Sequence, residues 1–140
     1  MLGRLYPGQD CALARALELI GERWTLLIVR DARFRGSTRF GDFQSSLGIA
    51  SNILSRRLEH LIEVGVMTFD PATGAYGLSE SGQELLTVAM AATEWGEKWV
   101  APGPIEFVHG PASAPVRTAL VDAQTGAPVD RKAISVRRRR

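Results

Sequence analysis

Apolar residues recur through the first half of the chain at the spacing of one helix face. Leu13, Leu17, Ile20, Trp24, Leu27 and Ile28 follow that spacing, and Gly21 interrupts it, which predicts two packed helices of roughly 11 residues each. The stretch FRGSTRF reads as a loop. Ser37 or Thr38 is expected to cap a short helix whose apolar face is Phe40, Phe43 and Leu47. Gly48 then turns the chain, and Ser51 is the expected N-cap of a longer helix. In SNILSRRLEHLIEVG, Leu54, Leu58, Leu61 and Ile62 form a core stripe, while Asn52, Ser55, Arg56, Glu59 and Glu63 fall on the opposite side. Short helix, glycine turn and longer amphipathic helix make a helix-turn-helix pattern.

Beyond Gly65 the period changes from that of a helix to that of strands. Val66 to Phe69 and Ala75 to Leu78 flank DPATG, a hairpin signal. Ser79 or Ser81 is expected to cap a last long helix carrying Leu85, Leu86, Met90, Trp95 and Trp99, stopped by APGP at 101–104. The rest of the chain mixes Pro/Gly turns with the β-prone pieces RTALVD and KAISV and ends on four arginines. A small hairpin and a basic tail are expected there. The fold class is therefore mainly α with a small β-wing, with residues 1–100 as one domain that carries the helix-turn-helix and 101–140 as an extension.

Composition narrows the function. The chain of 140 residues is 45% hydrophobic and 23% charged, as for a soluble domain. No apolar run reaches the roughly 18 to 20 residues that span a bilayer, and the first residues lack a secretory pattern, so a cytoplasmic protein with no membrane partner is expected. A single cysteine excludes an internal disulfide, and no metal site or cofactor is expected. Net charge is +2, but its distribution is uneven. Residues 33–57 hold Arg33, Arg35, Arg39, Arg56 and Arg57 against Asp42 alone, whereas residues 59–97 hold seven acids and no Lys or Arg. Such asymmetry suits an oriented encounter with a polyanion.

At this point the residues resemble one family, the HxlR-type bacterial transcriptional regulators. The matching pieces are CALARALELIGERWTLLIVRD (11–31), RFGDFQSSLGIASNILSRRLEHLIEVGV (39–66), YGLSESGQELL (76–86) and WGEKW (95–99). The resemblance implies a winged helix-turn-helix that dimerises through its N- and C-terminal helices. It also implies a homodimer on a pseudo-palindromic double-stranded DNA operator, acting as a repressor or switch that senses a small molecule or an oxidant. The sequence departs from the family in two places: FDPATGAYG has no basic residue where many relatives carry an arginine-rich wing, and residues 105–140 exceed the common core.

The candidate chemistry follows from position. Asn52, Ser55 and Arg56 lie near the N-terminus of the second helix of the motif, where base edges are met, and Ser51 opens that helix. Arg57 lies beside the apolar stripe and suits an internal acid or a phosphate as well as a base. Ser37, Thr38 and Arg39, at the start of the short helix, suit backbone phosphate. Trp24, Phe40 and Phe43 read as core. Leu13, Leu17, Trp95 and Trp99 offer apolar surface for a dimer interface. Cys11 opens the first helix; the resemblance suggests a redox sensor, and a small packing residue is the alternative. His60 and His109 are too isolated for a metal or catalytic constellation. No arrangement of residues points to an enzyme. A winged-helix module that binds protein without reading DNA is the rival reading.

Overall fold

The computed structural model describes residues 5–140; residues 1–4 of the expected first domain lie outside the described residues. The chain divides into two units, one ending at Ala89 and the other beginning at Met90, so that the division falls within the last long helix. Gly21 breaks the first apolar run as expected, but both segments are shorter than their pattern suggests: α1 covers Ala12–Ile20 and α2 covers Thr25–Arg30. The Glu22 carboxylate sets the start of α2 by accepting from the Trp24 amide at 3.0 Å and the Thr25 hydroxyl at 3.4 Å. At the other end the chain widens into a π-type turn over Asp31–Arg35, closed by Gly36.

Asp31 organises that turn. Its carboxylate is fully buried and is held by Arg30 at 2.8 Å and by Arg35, one turn on, at 3.5 Å. A buried carboxylate needs such partners because burial strips it of water. The Asp31 carbonyl also accepts from the Ser37 amide at 3.2 Å, which fixes where the chain leaves the turn.

The helix-turn-helix follows, as α3 over Phe40–Leu47 and α4 over Ser51–Glu63. Gly48 links them with a φ of +63°, a left-handed conformation that side chains disfavour. Two expected caps are corrected. Arg39 holds the N-cap position of α3, and the Asp42 carboxylate accepts from the Thr38 and Arg39 amides at 3.2 and 3.0 Å. Neither Ser37 nor Thr38 caps the helix through its side chain. Ala50, extended at φ −63° and ψ 139°, is the N-cap of α4, which makes Ser51 the first helical residue. Burial of Ile49 at 3% exposure fixes the chain just before that point.

The core gathers Ile28 and Val29 of α2, Phe43 of α3, Ile49, Leu54, Leu58 and Leu61 of α4, and Val66 and Met67, with Trp24, Phe40, Tyr76 and Leu85 packed around it. Trp24, Phe40 and Phe43 are thus packing residues, as their spacing suggests. The wing is an antiparallel hairpin of β1, Met67–Asp70, and β2, Ala75–Leu78, in the register Met67 to Leu78 and Asp70 to Ala75. Tyr76 anchors it, edge-on to Phe43 with ring centroids 6.3 Å apart and tilted against Phe69 at 4.7 Å.

The last long helix, α5, covers Glu80–Trp99. Of the two serines offered as its cap, Ser79 takes the role, accepting from the Gly82 amide at 3.2 Å. Its hydroxyl also lies within bonding reach of the Gly65 and Val66 carbonyls, at 2.6 and 2.9 Å.

In the second unit, β3 (Val108–His109) pairs with β4 (Ala114–Pro115), and Val121 bridges to Pro128. A small hairpin is present, and of the two β-prone pieces RTALVD takes part in strand pairing, through the Val121 bridge and the Leu120 carbonyl, which accepts from the Val129 amide at 3.0 Å. Where KAISV begins, the chain makes a short 3-10 turn over Arg131–Ala133, because the Asp130 carboxylate accepts from the Lys132 amide at 2.9 Å. No helix among the described residues is long and apolar enough to cross a membrane.

Two outcomes test this account. Gly82 is buried, and a Cβ there would collide with the Val66 carbonyl and approach Leu78 Cδ2 to 3.1 Å. Gly82→Ala is therefore expected to destabilise the protein by about 1 to 3 kcal/mol in denaturant unfolding, the usual range for overpacking, although alanine is the better helix former. An equal or more stable variant would contradict the packing of α5 on the wing.

The second outcome concerns Asp42, whose carboxyl is held below its ordinary value near 3.8 chiefly by the Arg39 and then the Thr38 amide bonds. A lowered carboxylate stabilises the fold above that ordinary value and loses the effect as pH falls through the folded-state value. Thermal melts should show wild type more stable than Asp42→Asn above pH 3.8, with the two converging below it.

Candidate nucleic-acid interface

Burial of one side of α4 determines which side chains the other side presents. Leu54, Leu58 and Leu61 are 0 to 1% exposed, so the helix cannot roll about its axis without exposing them. The opposite side then carries Asn52, Arg56, Glu59 and Glu63, all exposed, with Ser55 half-buried at its margin. Arg56 Nε lies 3.4 Å from the Asn52 carbonyl one turn earlier, a long contact that leaves most of the guanidinium's donors available. The base-reading candidates therefore lie together on the first turns of the helix, and the acids follow on the later turns.

Arg57 has an internal acid beside it. Its side chain is 30% exposed, and Nε is 3.8 Å from a Glu22 carboxylate oxygen, an ion pair too long to be a hydrogen bond. His60 lies one turn further along, with Nε2 3.3 Å from the Leu19 carbonyl. Together these residues join α4 to the junction between α1 and α2. Glu22 and Asp31 were not identified from the sequence, where each is one acid among many. The local traces of Asp31's partners are Arg30 beside it and Arg35 at i+4, whereas Arg57, the ionic partner of Glu22, lies 35 positions along the chain.

The basic loop before α3 separates into three fates. Ser37, offered as a phosphate contact, is buried at 6% exposure. Thr38 is exposed, and its carbonyl accepts from the Tyr76 amide at 2.7 Å, extending the outer edge of β2. Arg39 is exposed and donates through Nη1 to the carbonyl of Thr73 at the tip of the wing.

Elsewhere in the first unit, Cys11 is an exposed thiol at the N-cap position of α1, and Leu13 and Leu17 are 66% and 39% exposed. In the second unit, Trp95 and Trp99 are 63% and 65% exposed. That unit also holds an open cleft of about 620 Å³ lined by Glu94, Glu97, Glu106, Phe107 and Arg117, among others. Glu94 is occupied, accepting from the Thr118 amide at 2.7 Å and from the Thr118 hydroxyl.

Comparison with known proteins agrees with this geometry. Residues 19–104 match the model of the HxlR-like helix-turn-helix family. An uncharacterised HTH-type transcriptional regulator of Mycobacterium bovis is 43% identical over 104 residues, covering 71% of this chain. The chain spans 64% of that relative's length. Among solved structures, PA1607, described as a candidate transcription factor, is 40% identical with a TM-score of 0.83, the match covering 94% of this chain and 97% of that one. A second candidate transcription factor, PA1374 of Pseudomonas aeruginosa, is 34% identical with a TM-score of 0.66, covering 93% of both chains. These relatives are described as regulators of transcription and not as enzymes. The matched segment runs from the end of α1 past the end of α5 and takes in the helix-turn-helix, its buried stripe and the wing, and the chain belongs to the HxlR-like helix-turn-helix family.

Proposed function

We propose that this chain is a cytoplasmic transcriptional regulator that binds a pseudo-palindromic double-stranded DNA operator as a homodimer, with α4 in the major groove. The observation that supports this reading most directly is the division of α4. The three leucines of its apolar side are fully buried, and its free side begins with Asn52 and Arg56 and ends with Glu59 and Glu63. Arginine pairs with guanine and asparagine with adenine through two hydrogen bonds each. The two glutamates would be repelled by phosphate, so the helix enters the groove by its N-terminal end. Ser51 and Ser55 lie at the margin of the same end.

The homodimer is supported by large apolar side chains left uncovered on α1 (Leu13, Leu17) and, separately, on α5 (Trp95, Trp99). Exposed apolar groups of this size are the kind of surface that a second copy covers. Size measurement at micromolar concentration should give twice the monomer mass, and a clean monomer would remove the palindromic arrangement from the proposal.

The base-reading assignment is tested with an operator selected from randomised DNA. Arg56→Ala should fold normally and weaken that operator by about 1 to 3 kcal/mol, as when one bidentate base contact is lost, while a scrambled duplex suffers less. Equal losses on both duplexes would make Arg56 a phosphate contact instead.

A further inference from the structure

Between Met67 and Leu78 the wing carries one charged side chain, Asp70, and no cation. Left to itself, such a hairpin would bring only negative charge toward a phosphate backbone. The structure brings a cation to it from another element. Arg39 precedes α3, yet its guanidinium reaches the tip of the wing and donates to the Thr73 carbonyl, 34 positions along the chain.

Three features hold it there. The Tyr76 amide donates to the Thr38 carbonyl at 2.7 Å, which fastens the residue before Arg39 to β2. Residue 74 is glycine, and a Cβ there would lie 2.8 Å from Arg39 Nη1. The Asp70 carboxylate is turned into its own loop, accepting from the Ala72 amide at 2.9 Å and the Thr73 hydroxyl at 3.1 Å. A carbonyl is neutral, so a guanidinium bonded to it keeps its whole charge, and one such bond uses one of five donors.

We propose that Arg39 is the DNA-contacting cation of the wing, supplied by the segment before α3 and held at the hairpin tip by Thr73, where it meets a phosphate beside the base pairs read by α4. This inference rests on the proposed DNA binding. It differs from a phosphate contact at the start of α3, because a charge needed at the tip can be supplied by any residue at the tip.

The test moves the charge. Ala72 is exposed in the wing turn, so Ala72→Arg places a guanidinium on the tip itself. Wild type, Arg39→Ala, Ala72→Arg and the double variant are measured on the selected operator and on a scrambled duplex across a salt series, with thermal melts alongside. Arg39→Ala should weaken both duplexes alike and make the slope of log affinity against log salt shallower by about 0.9 for each wing that touches DNA. In the double variant the slope and the affinity should return.

Arg39→Gln, which keeps a donor for Thr73 but removes the charge, should behave as Arg39→Ala and serves if the alanine variant melts early. A double variant no better than Arg39→Ala would overturn the assignment, as would an Arg39→Gln with wild-type slope. Failure of the wild type to bind either duplex would sink the DNA-binding reading itself, a result distinct from binding that ignores charge at the tip.

Discussion

Everything that the outer face of α4 presents depends on the burial of three leucines on the same helix. Leu54, Leu58 and Leu61 lie at or below 1% exposure against Ile28 and Val29 of α2 and Phe43 of α3. Exposing even one such side chain costs about 1.5 to 3 kcal/mol, which is enough to hold the helix in one rotation. A fixed rotation converts a linear order of residues into a surface, with Asn52 and Arg56 outward and Arg57 turned toward Glu22. The outer face of α4 is thus a consequence of the core rather than a separate feature.

Polar contacts set the angles that the core alone leaves loose. The buried Asp31 carboxylate, held by Arg30 and Arg35, defines the wide turn after α2 and hence the direction of the chain into α3. Asp42 then closes the first turn of α3, and Gly48 reverses the chain so that α4 packs back across it.

The wing joins the same framework from the far side. Tyr76 packs on Phe43 of α3, and the Thr38 carbonyl takes the outer amide of β2. The short loop between the π-type turn and α3 therefore touches both the helix-turn-helix and the hairpin. Ser79 adds a third tie, since one hydroxyl caps α5 and lies against the carbonyls that lead into β1.

Much of this architecture was legible in the residues alone. Period 3.6 in Leu54, Leu58 and Leu61 located α4 and its buried side, and the shift to short β-prone runs around DPATG located the wing, because both are local patterns imposed by backbone geometry. Asn52 and Arg56 could be placed on the outer face for the same reason. The fates of Ser37, Arg39 and Arg57 could not, since each is decided by a partner distant in the chain: the turn at Asp31, the Thr73 carbonyl, and Glu22. The caps at Arg39 and Ala50 were missed because a cap is chosen by where tertiary packing ends the extended segment, not by side-chain preference alone. Periodicity fixes which face of an element is apolar; only the packed chain brings together groups 34 and 35 positions apart and so decides where a surface arginine points.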